Sequence, residues 1–170
     1  MPVEERNDAL KRGNRIAVER YEFAIKCLGA PRTVVDLGCG MGYGCHLLRR
    51  AGHQVCGLDY SVPAIKYAEE NYPGDYMLQN LVEDGVEYED EAAVCLEVLC
   101  HLKNPQEFVG RIKSKYLVIS APIDPNPQDG YVYRLHNLSE QQFKDMFKDW
   151  IVLDEFRQKQ YLTLFLEKKV

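Results

Sequence analysis

Four glycines, at positions 38, 40, 42 and 44, follow directly on the run Thr33-Val34-Val35-Asp36-Leu37. Glycine adopts positive φ and carries no Cβ, so a turn this rich in glycine lets a ligand come against the backbone. Where such a turn joins a strand to a helix, its amides and the positive helix end face an anionic or polar group. Asp59 stands nineteen residues beyond Gly40, after the apolar run Val55-Cys56-Gly57-Leu58. A carboxylate at that place accepts both hydroxyls of a ribose. Together they predict a site for an adenosine-containing cofactor across the ends of two strands. A glycine triplet alone would be an ordinary tight turn; the acid at this spacing tells the two apart.

The elements that hold these residues follow from apolar spacing. Residues 3–28 carry Leu10, Ile16, Ala17, Tyr21, Ala24, Ile25 and Leu28 near helical spacing, which predicts a helix ended by Gly29 and Pro31. Residues 33–37 read as a short buried strand. After the glycine turn, 46–51 form a helix closed by Gly52, and 55–58 a second strand. Ser61 caps a helix running to Tyr72, before Pro73-Gly74. Strands follow at 76–78, 92–96 and 116–120, with a helix beginning near Pro105 between the last two. Residues 139–148 form a capped amphipathic helix opened by Ser139, Glu140 and Gln142. Two closing strands, 150–156 and 160–167, lie so near in sequence that they pair antiparallel. Strands alternating with helices give an α/β domain with a mostly parallel sheet, into which a seventh strand inserts, or to which it is appended, antiparallel. The longest irregular segment, 121–138, contains Pro122, Pro125 and Pro127, and a loop of that length in a small domain is commonly functional.

At 170 residues, 46% hydrophobic and 28% charged, residues 1–170 read as one globular domain, with 1–30 as a helical cap beside it. The net charge of −5 excludes a generally basic nucleic-acid coat, so no nucleic-acid partner is expected. The acidic run from Glu83 to Glu91 would repel phosphates, though such runs are ordinarily solvated connections. No apolar run reaches the roughly 18–20 residues of a membrane span, so no membrane insertion is expected. The charged start MPVEERNDALKRGNR is not a secretory signal. Cysteines at 27, 39, 45, 56, 95 and 100 include no Cys-x-x-Cys pair, which predicts reduced, mostly buried thiols in a cytoplasmic protein.

Asp36-Leu37-Gly38-Cys39-Gly40-x-Gly42 resembles the first motif of class I S-adenosylmethionine-dependent methyltransferases, and Val55-x-Gly57-Leu58-Asp59 their second. Cys95-Leu96-Glu97-Val98-Leu99-Cys100-His101-Leu102 resembles their fourth, in the form of ubiquinone-type O-methyltransferases. Arg20-Tyr21-x-Phe23-Ala24, with Gly42-Tyr43-Gly44, is similar to small methyltransferases found beside glycan-modifying enzymes. The resemblance covers residues 15–168. It implies a Rossmann-like, doubly wound sheet of seven strands, mostly parallel with the seventh antiparallel, and S-adenosyl-L-methionine as cofactor. On the matching positions it implies that Asp36, Gly38, Cys39, Gly40 and Gly42 hold the methionine half, and Asp59 the ribose hydroxyls. It also implies that Tyr60 stacks on adenine, that Asn80 and Leu81 line the adenine's polar edge, and that Leu96 and Glu97 lie beneath the sulfonium. Arg20 and Tyr21 would cover the methionine carboxylate, although an arginine on a helix is ordinarily a solvated charge.

Methyl transfer from a sulfonium is chiefly a matter of alignment, with the acceptor atom about 3–3.5 Å from the methyl carbon and in line with sulfur. A hydroxyl acceptor also needs a base, worth roughly 10²–10⁴-fold. His101, just past the fourth strand on the face where such sites open, is one candidate, and His136, in Arg134-Leu135-His136-Asn137, a second. Either residue equally suits a structural contact. Some relatives hold a divalent metal through Glu-x-x-Glu-His; here Cys100 replaces the second glutamate. Magnesium prefers hard oxygen ligands, so no catalytic metal is expected. Tyr131, Tyr133, Arg134 and His136 on the long loop suit a polar, hydroxylated acceptor. The reading is methyl transfer to an oxygen or nitrogen of a small polar molecule, such as a sugar or other metabolite. Two alternatives stand beside it. One is a non-catalytic cofactor-binding module or subunit, which the short chain favours. The other is a nicotinamide-dependent oxidoreductase, which the missing third glycine spacing and the lack of a substrate domain disfavour.

Overall fold

The computed structural model describes residues 15–82, 85–123 and 134–170. In it the β-branched run Thr33–Leu37 forms β1, buried from Val34 onward. Its neighbours, β2 (Gln54–Asp59) and β4 (Ala92–Leu96), are both parallel to it. A strand paired on both edges and covered on both faces is buried on both, which is why β1 does not alternate and why even its Asp36 is buried. β3 (Asp75–Leu78) lies beyond β2 and β5 (Tyr116–Pro122) beyond β4, again parallel.

The chain then reverses. β6 (Trp150–Gln158) and β7 (Tyr161–Lys168) form a hairpin, and it is β7 that pairs antiparallel with β5. The order is therefore β3-β2-β1-β4-β5-β7-β6. Of the two expected possibilities, insertion is the one adopted. Composition explains it: Leu162 to Leu166 is buried at every position and suits an interior strand, whereas β6 exposes Ile151 to Glu155. Charged residues on β6 and a bulge between Val152 and Asp154 fit it for the edge.

α1 (Arg15–Leu28), α2 (Tyr43–Arg50) and α3 (Val62–Asn71) cover one face, packing Phe23, Leu48 and Ile65 with Val34, Val94 and Phe165. α4 (Pro105–Gly110) and α5 (Glu140–Asp145) cover the other, placing Phe108 and Phe143 with Leu117 and Leu164. α5 opens on a reciprocal capping box between Ser139 and Gln142.

Three local details differ from expectation. α2 begins at Tyr43, with Gly44 inside it, because the Tyr21 ring lies where a Cβ on Gly44 would be, 1.9 Å from Cζ. Ser61 stands at the N-cap of α3, but it contributes its amide, donated to Asp59, rather than its hydroxyl. A 3₁₀ turn, Leu99–His101, follows β4. The expected helical residues 3–14, and Tyr131 and Tyr133 of the long loop, lie outside the described residues. Among the described residues all six cysteines are free thiols, and no helix is long and apolar enough to cross a membrane.

Candidate functional site

From β1 the chain runs outward through β2 to β3, and from β4 outward to β5, so the strand order reverses between β1 and β4. A doubly wound sheet opens a crevice at the carboxyl ends of the strands there. The glycine turn, Asp59 and the Leu96-Glu97 segment end β1, β2 and β4 at that point. Gly38 has φ +79°, and a Cβ on it would come 2.5 Å from Val98 Cγ2, so the turn closes directly onto the segment after β4. Gly40 has φ +56° with no protein atom within 4 Å of a Cβ built there. The backbone is bare at that residue.

The amides of the turn are used differently from expectation. Gly38 and Cys39 both donate to the Leu58 carbonyl, at 2.8 and 2.9 Å, and Gly40 donates to Asp59 Oδ2 at 2.9 Å. The first amides of the turn are therefore tied to β2, and what the glycines offer a ligand is close approach. Asp59 Oδ1 accepts from the Ser61 amide at 2.9 Å. Each carboxylate oxygen has a second lone pair, so Asp59 keeps the capacity to accept from a diol.

Asp36 lies beneath the turn and is fully buried. The Tyr21 hydroxyl donates to its two oxygens at 3.1 and 3.3 Å, and the Cys45 thiol donates to Oδ2 at 3.2 Å. Burial pushes its carboxyl up to about 6, against the opposing pull of those two hydrogen bonds. Burial also lifts the Tyr21 phenol well above its ordinary range, with the Asp36 charge adding to the effect. A buried acid met only by neutral donors is stabilised by any cation brought near it.

Arg20, one residue back on α1, is buried rather than solvated. Its Nη1 stands 3.5 Å from Glu97 Oε1, and its guanidinium lies 4.8 Å from the centroid of the Tyr161 ring. Glu97 has φ +61°, a conformation that residues with a side chain seldom hold outside functional sites. Ser120 keeps it there. The Ser120 hydroxyl donates to Glu97 Oε1 at 2.7 Å, while the Glu97 amide faces Ser120 Oγ at 3.1 Å and the Ser120 carbonyl at 3.3 Å. Burial raises the Glu97 carboxyl above its usual range, with Arg20 working against it. The sequence reading overlooked Ser120, although it is the one polar residue in the apolar run from Leu117 to Ala121.

The remaining candidates are spread along the lip. Tyr60 exposes 68% of its surface beside Asp59, a ring open to stacking. Asn80 Oδ1 accepts from the Val82 amide at 3.1 Å; Leu81 is buried in the core, and its carbonyl accepts from Arg111. Leu96 is half-buried at the end of β4, in the α1 layer. His101 closes the 3₁₀ turn, with its amide on the Val98 carbonyl at 2.9 Å. His136 Nε2 donates to the Leu102 carbonyl at 2.8 Å, and the Leu135 amide donates to the Cys100 carbonyl at 2.7 Å. These bonds tie the 134–138 segment across the 3₁₀ turn. Cys100 is buried, which pushes its thiol up to about 12. Among the described residues no three His, Cys, Asp or Glu side chains come together as a metal site.

Residues 35–114 match the methyltransferase domain family. The chain is 28% identical over 117 residues to a ubiquinone biosynthesis O-methyltransferase of Rhodopseudomonas palustris, covering 64% of this chain and 46% of that protein. It is 33% identical over 97 residues to a probable S-adenosylmethionine-dependent methyltransferase of Mycolicibacterium smegmatis, covering 56% and 37% respectively. The matched part thus spans under half the length of both relatives. In fold, the chain superposes with a TM-score of 0.73 on the 1,6-didemethyltoxoflavin-N1-methyltransferase of Burkholderia thailandensis, solved with 1,6-didemethyltoxoflavin and S-adenosylhomocysteine bound. That match has 16% identity and covers 99% of this chain and 87% of the other. The glycine turn, Asp59 and the Leu96-Glu97 segment all lie within the residues that match the methyltransferase domain family.

Proposed function

We propose that the chain is an S-adenosylmethionine-dependent methyltransferase acting on an oxygen or nitrogen of a small polar acceptor. The observation that carries this reading is the meeting of Gly40 and Asp59: the acid at the end of β2 is bonded to the amide of the residue whose backbone is bare. The family match and the name of the Mycolicibacterium relative support the same cofactor. The residues suit that cofactor chemically. Asp36 is a buried acid whose hydrogen-bond donors, Tyr21 and Cys45, are neutral, Asp59 retains acceptor capacity, and Tyr60 offers an exposed ring. When bound, S-adenosylmethionine supplies a methyl group already activated on a sulfonium.

Asp36 and Tyr21, with Gly38, Cys39, Gly40 and Gly42, then face the methionine half, and Asp59 the ribose. Tyr60, Asn80 and Leu81 bound the adenine, and Leu96 and Glu97 underlie the reacting centre. Of the two histidines, His136 has Nε2 committed to the Leu102 carbonyl, so only its Nδ1 can take a proton. His101, at the end of the 3₁₀ turn that follows β4, is the other candidate base. Free thiols at all six cysteines support a reducing, cytoplasmic setting.

Calorimetry with S-adenosylhomocysteine, S-adenosylmethionine and NAD tests the binding half of this reading. Transfer of a labelled methyl group to a panel of hydroxylated and amino metabolites tests the rest. Binding of both sulfur compounds with labelled product is the expected result. NAD binding without them refutes the proposal, and binding without any product supports a cofactor-binding module instead.

A further inference from the structure

Arg111 keeps a buried charge for a single hydrogen bond. It follows α4, with its Cζ 5.8 Å from the centroid of the buried Phe108 ring. Its Nη2 donates to the Leu81 carbonyl, the one hydrogen bond the guanidinium makes among the described residues. Nε and Nη1 are buried beside it with no partner. Charged N–H groups withdrawn from water without a replacement are costly, and an apolar side chain would fill the space over Phe108 at less cost. What the arginine alone supplies is its grip on Leu81.

Leu81 lies in the segment that leaves β3, and that segment is fastened at three points. The Gln79 amide donates to the backbone carbonyl of Asp59 at 2.9 Å. The Val82 amide donates to Asn80 Oδ1 at 3.1 Å. The third bond comes from Arg111, thirty residues further along the chain. The arginine's own backbone is held by the Tyr88 amide, which donates to the Arg111 carbonyl at 3.0 Å, and by the bridge between Tyr88 and Ile112. The first two bonds join the segment to itself and to neighbouring β2. Only Arg111 ties it to the half of the sheet that contains β4 and β5.

Asn80 gives that tie a chemical meaning. With Oδ1 taken by the Val82 amide, the end left to a ligand is Nδ2, a donor. Adenine presents a bare N1 on its pairing edge and accepts there. Hypoxanthine carries a proton on N1 and sets donor against donor. A site built around a hydrogen bond rejects a ligand that cannot complete it, provided that the donor is held in place.

We propose that Arg111 is the positioning residue for base recognition: through the Leu81 carbonyl it holds Asn80 at the adenine edge, and so sets a preference for adenine over hypoxanthine. It does not touch the cofactor itself. The tie is made in the free chain, so the edge is preorganised before a ligand arrives. This inference rests on the methyltransferase reading and on the place that reading gives Asn80 and Leu81.

The test titrates the whole chain by calorimetry with S-adenosylhomocysteine and with S-inosylhomocysteine, which differ only in the base. The ratio of the two affinities is read on folded protein, so a general loss of stability cancels from it. The parent prefers the adenosyl compound about tenfold or more, and Arg111→Met, which keeps an apolar stem over Phe108, cuts that preference to about threefold or less. Arg111→Lys returns one donor and restores the preference in part. Arg111→Gln, whose amide is too short to reach Leu81, behaves like the methionine variant and takes its place if that chain does not fold. In the free chain, the Gln79 and Val82 amides exchange hydrogen faster in Arg111→Met than in the parent, measured against the amides of β1. An unchanged preference in the methionine variant overturns the proposal, and so does a parent that does not discriminate. A parent that binds neither compound refutes the methyltransferase reading. Exchange in the free chain then decides the rest, and equal protection in parent and variant overturns the tie assigned to Arg111.

Discussion

Asp36→Asn measures what the buried acid under the glycine turn costs and what it is for. Burial lifts its carboxyl from an ordinary 3.8 to about 6. In the unfolded chain the acid ionises near its ordinary value, so between those two points unfolding releases a proton. Stability therefore falls as pH rises through that window. Below it both states are protonated and no penalty remains; above it both are ionised and the penalty is constant. A shift of a little over two pK units corresponds to about 3 kcal/mol at neutral pH. Asparagine keeps the shape and drops the charge, but its amide brings donors that find no acceptor, at about 1–3 kcal/mol. Relative to the parent, the variant should thus improve by about 2.5 kcal/mol between pH 4 and pH 7.5, whatever its absolute offset. Urea unfolding of both proteins across that range measures it. The Tyr21 and Cys45 protons are held too tightly to titrate there, and Glu97 is common to both chains. A pH-independent difference between the two refutes the reasoning. In the proposed function the same acid faces the cationic cofactor, so binding of S-adenosylmethionine to the parent should weaken from pH 7.5 to pH 5. In the variant it should be weak throughout.

Asp59→Ala should weaken S-adenosylhomocysteine by more than about 1.5 kcal/mol in calorimetry, and an unchanged affinity would place the ribose elsewhere. Gly44→Ala drives a methyl group into the Tyr21 ring and should destabilise by about 1–3 kcal/mol, read by urea melts. Gly40→Ala meets no protein atom and should lose only the left-handed backbone penalty of about 1–2 kcal/mol, yet abolish cofactor binding; retained binding contradicts the close approach assigned to Gly40. Methyl transfer should survive a strong chelator, and loss of activity restored by magnesium would refute the argument from Cys100.

The parts of the site legible in the sequence are those set by local rules. Positive φ at Gly38 and Gly40 calls for glycine, and Asp59 follows at the distance one strand–helix–strand unit dictates. The parts that were not legible depend on residues far along the chain. Arg20 looks like any helical charge until Tyr161 and Glu97 are beside it. Gly44 reads as a turn residue, but its missing Cβ serves the Tyr21 ring. The amides of the turn look available, and only the Leu58 carbonyl shows that two of them are taken. The closing hairpin could be read from its spacing, but not which of its strands meets β5. The unbroken apolar stretch of β7 against the mixed β6 was the sign of that.

The place of β7 has a consequence for the order in which the protein assembles. β7 fills an interior gap, yet it is the last strand in the chain, so until it docks β5 carries an open edge lined by Leu117, Ile119 and Ala121. The hairpin itself is local, closed through Lys159 in a left-handed conformation, and such hairpins form in roughly 1–10 μs. Its docking on β5 is the slower event, because it joins segments separated by the whole of α5 and the long loop. β1, β2 and β4 build the cofactor crevice without it. Tyr161, the ring against which Arg20 lies, arrives only with the hairpin. During refolding, the amides of β1 and β2 should therefore gain protection from hydrogen exchange before those of β7 do.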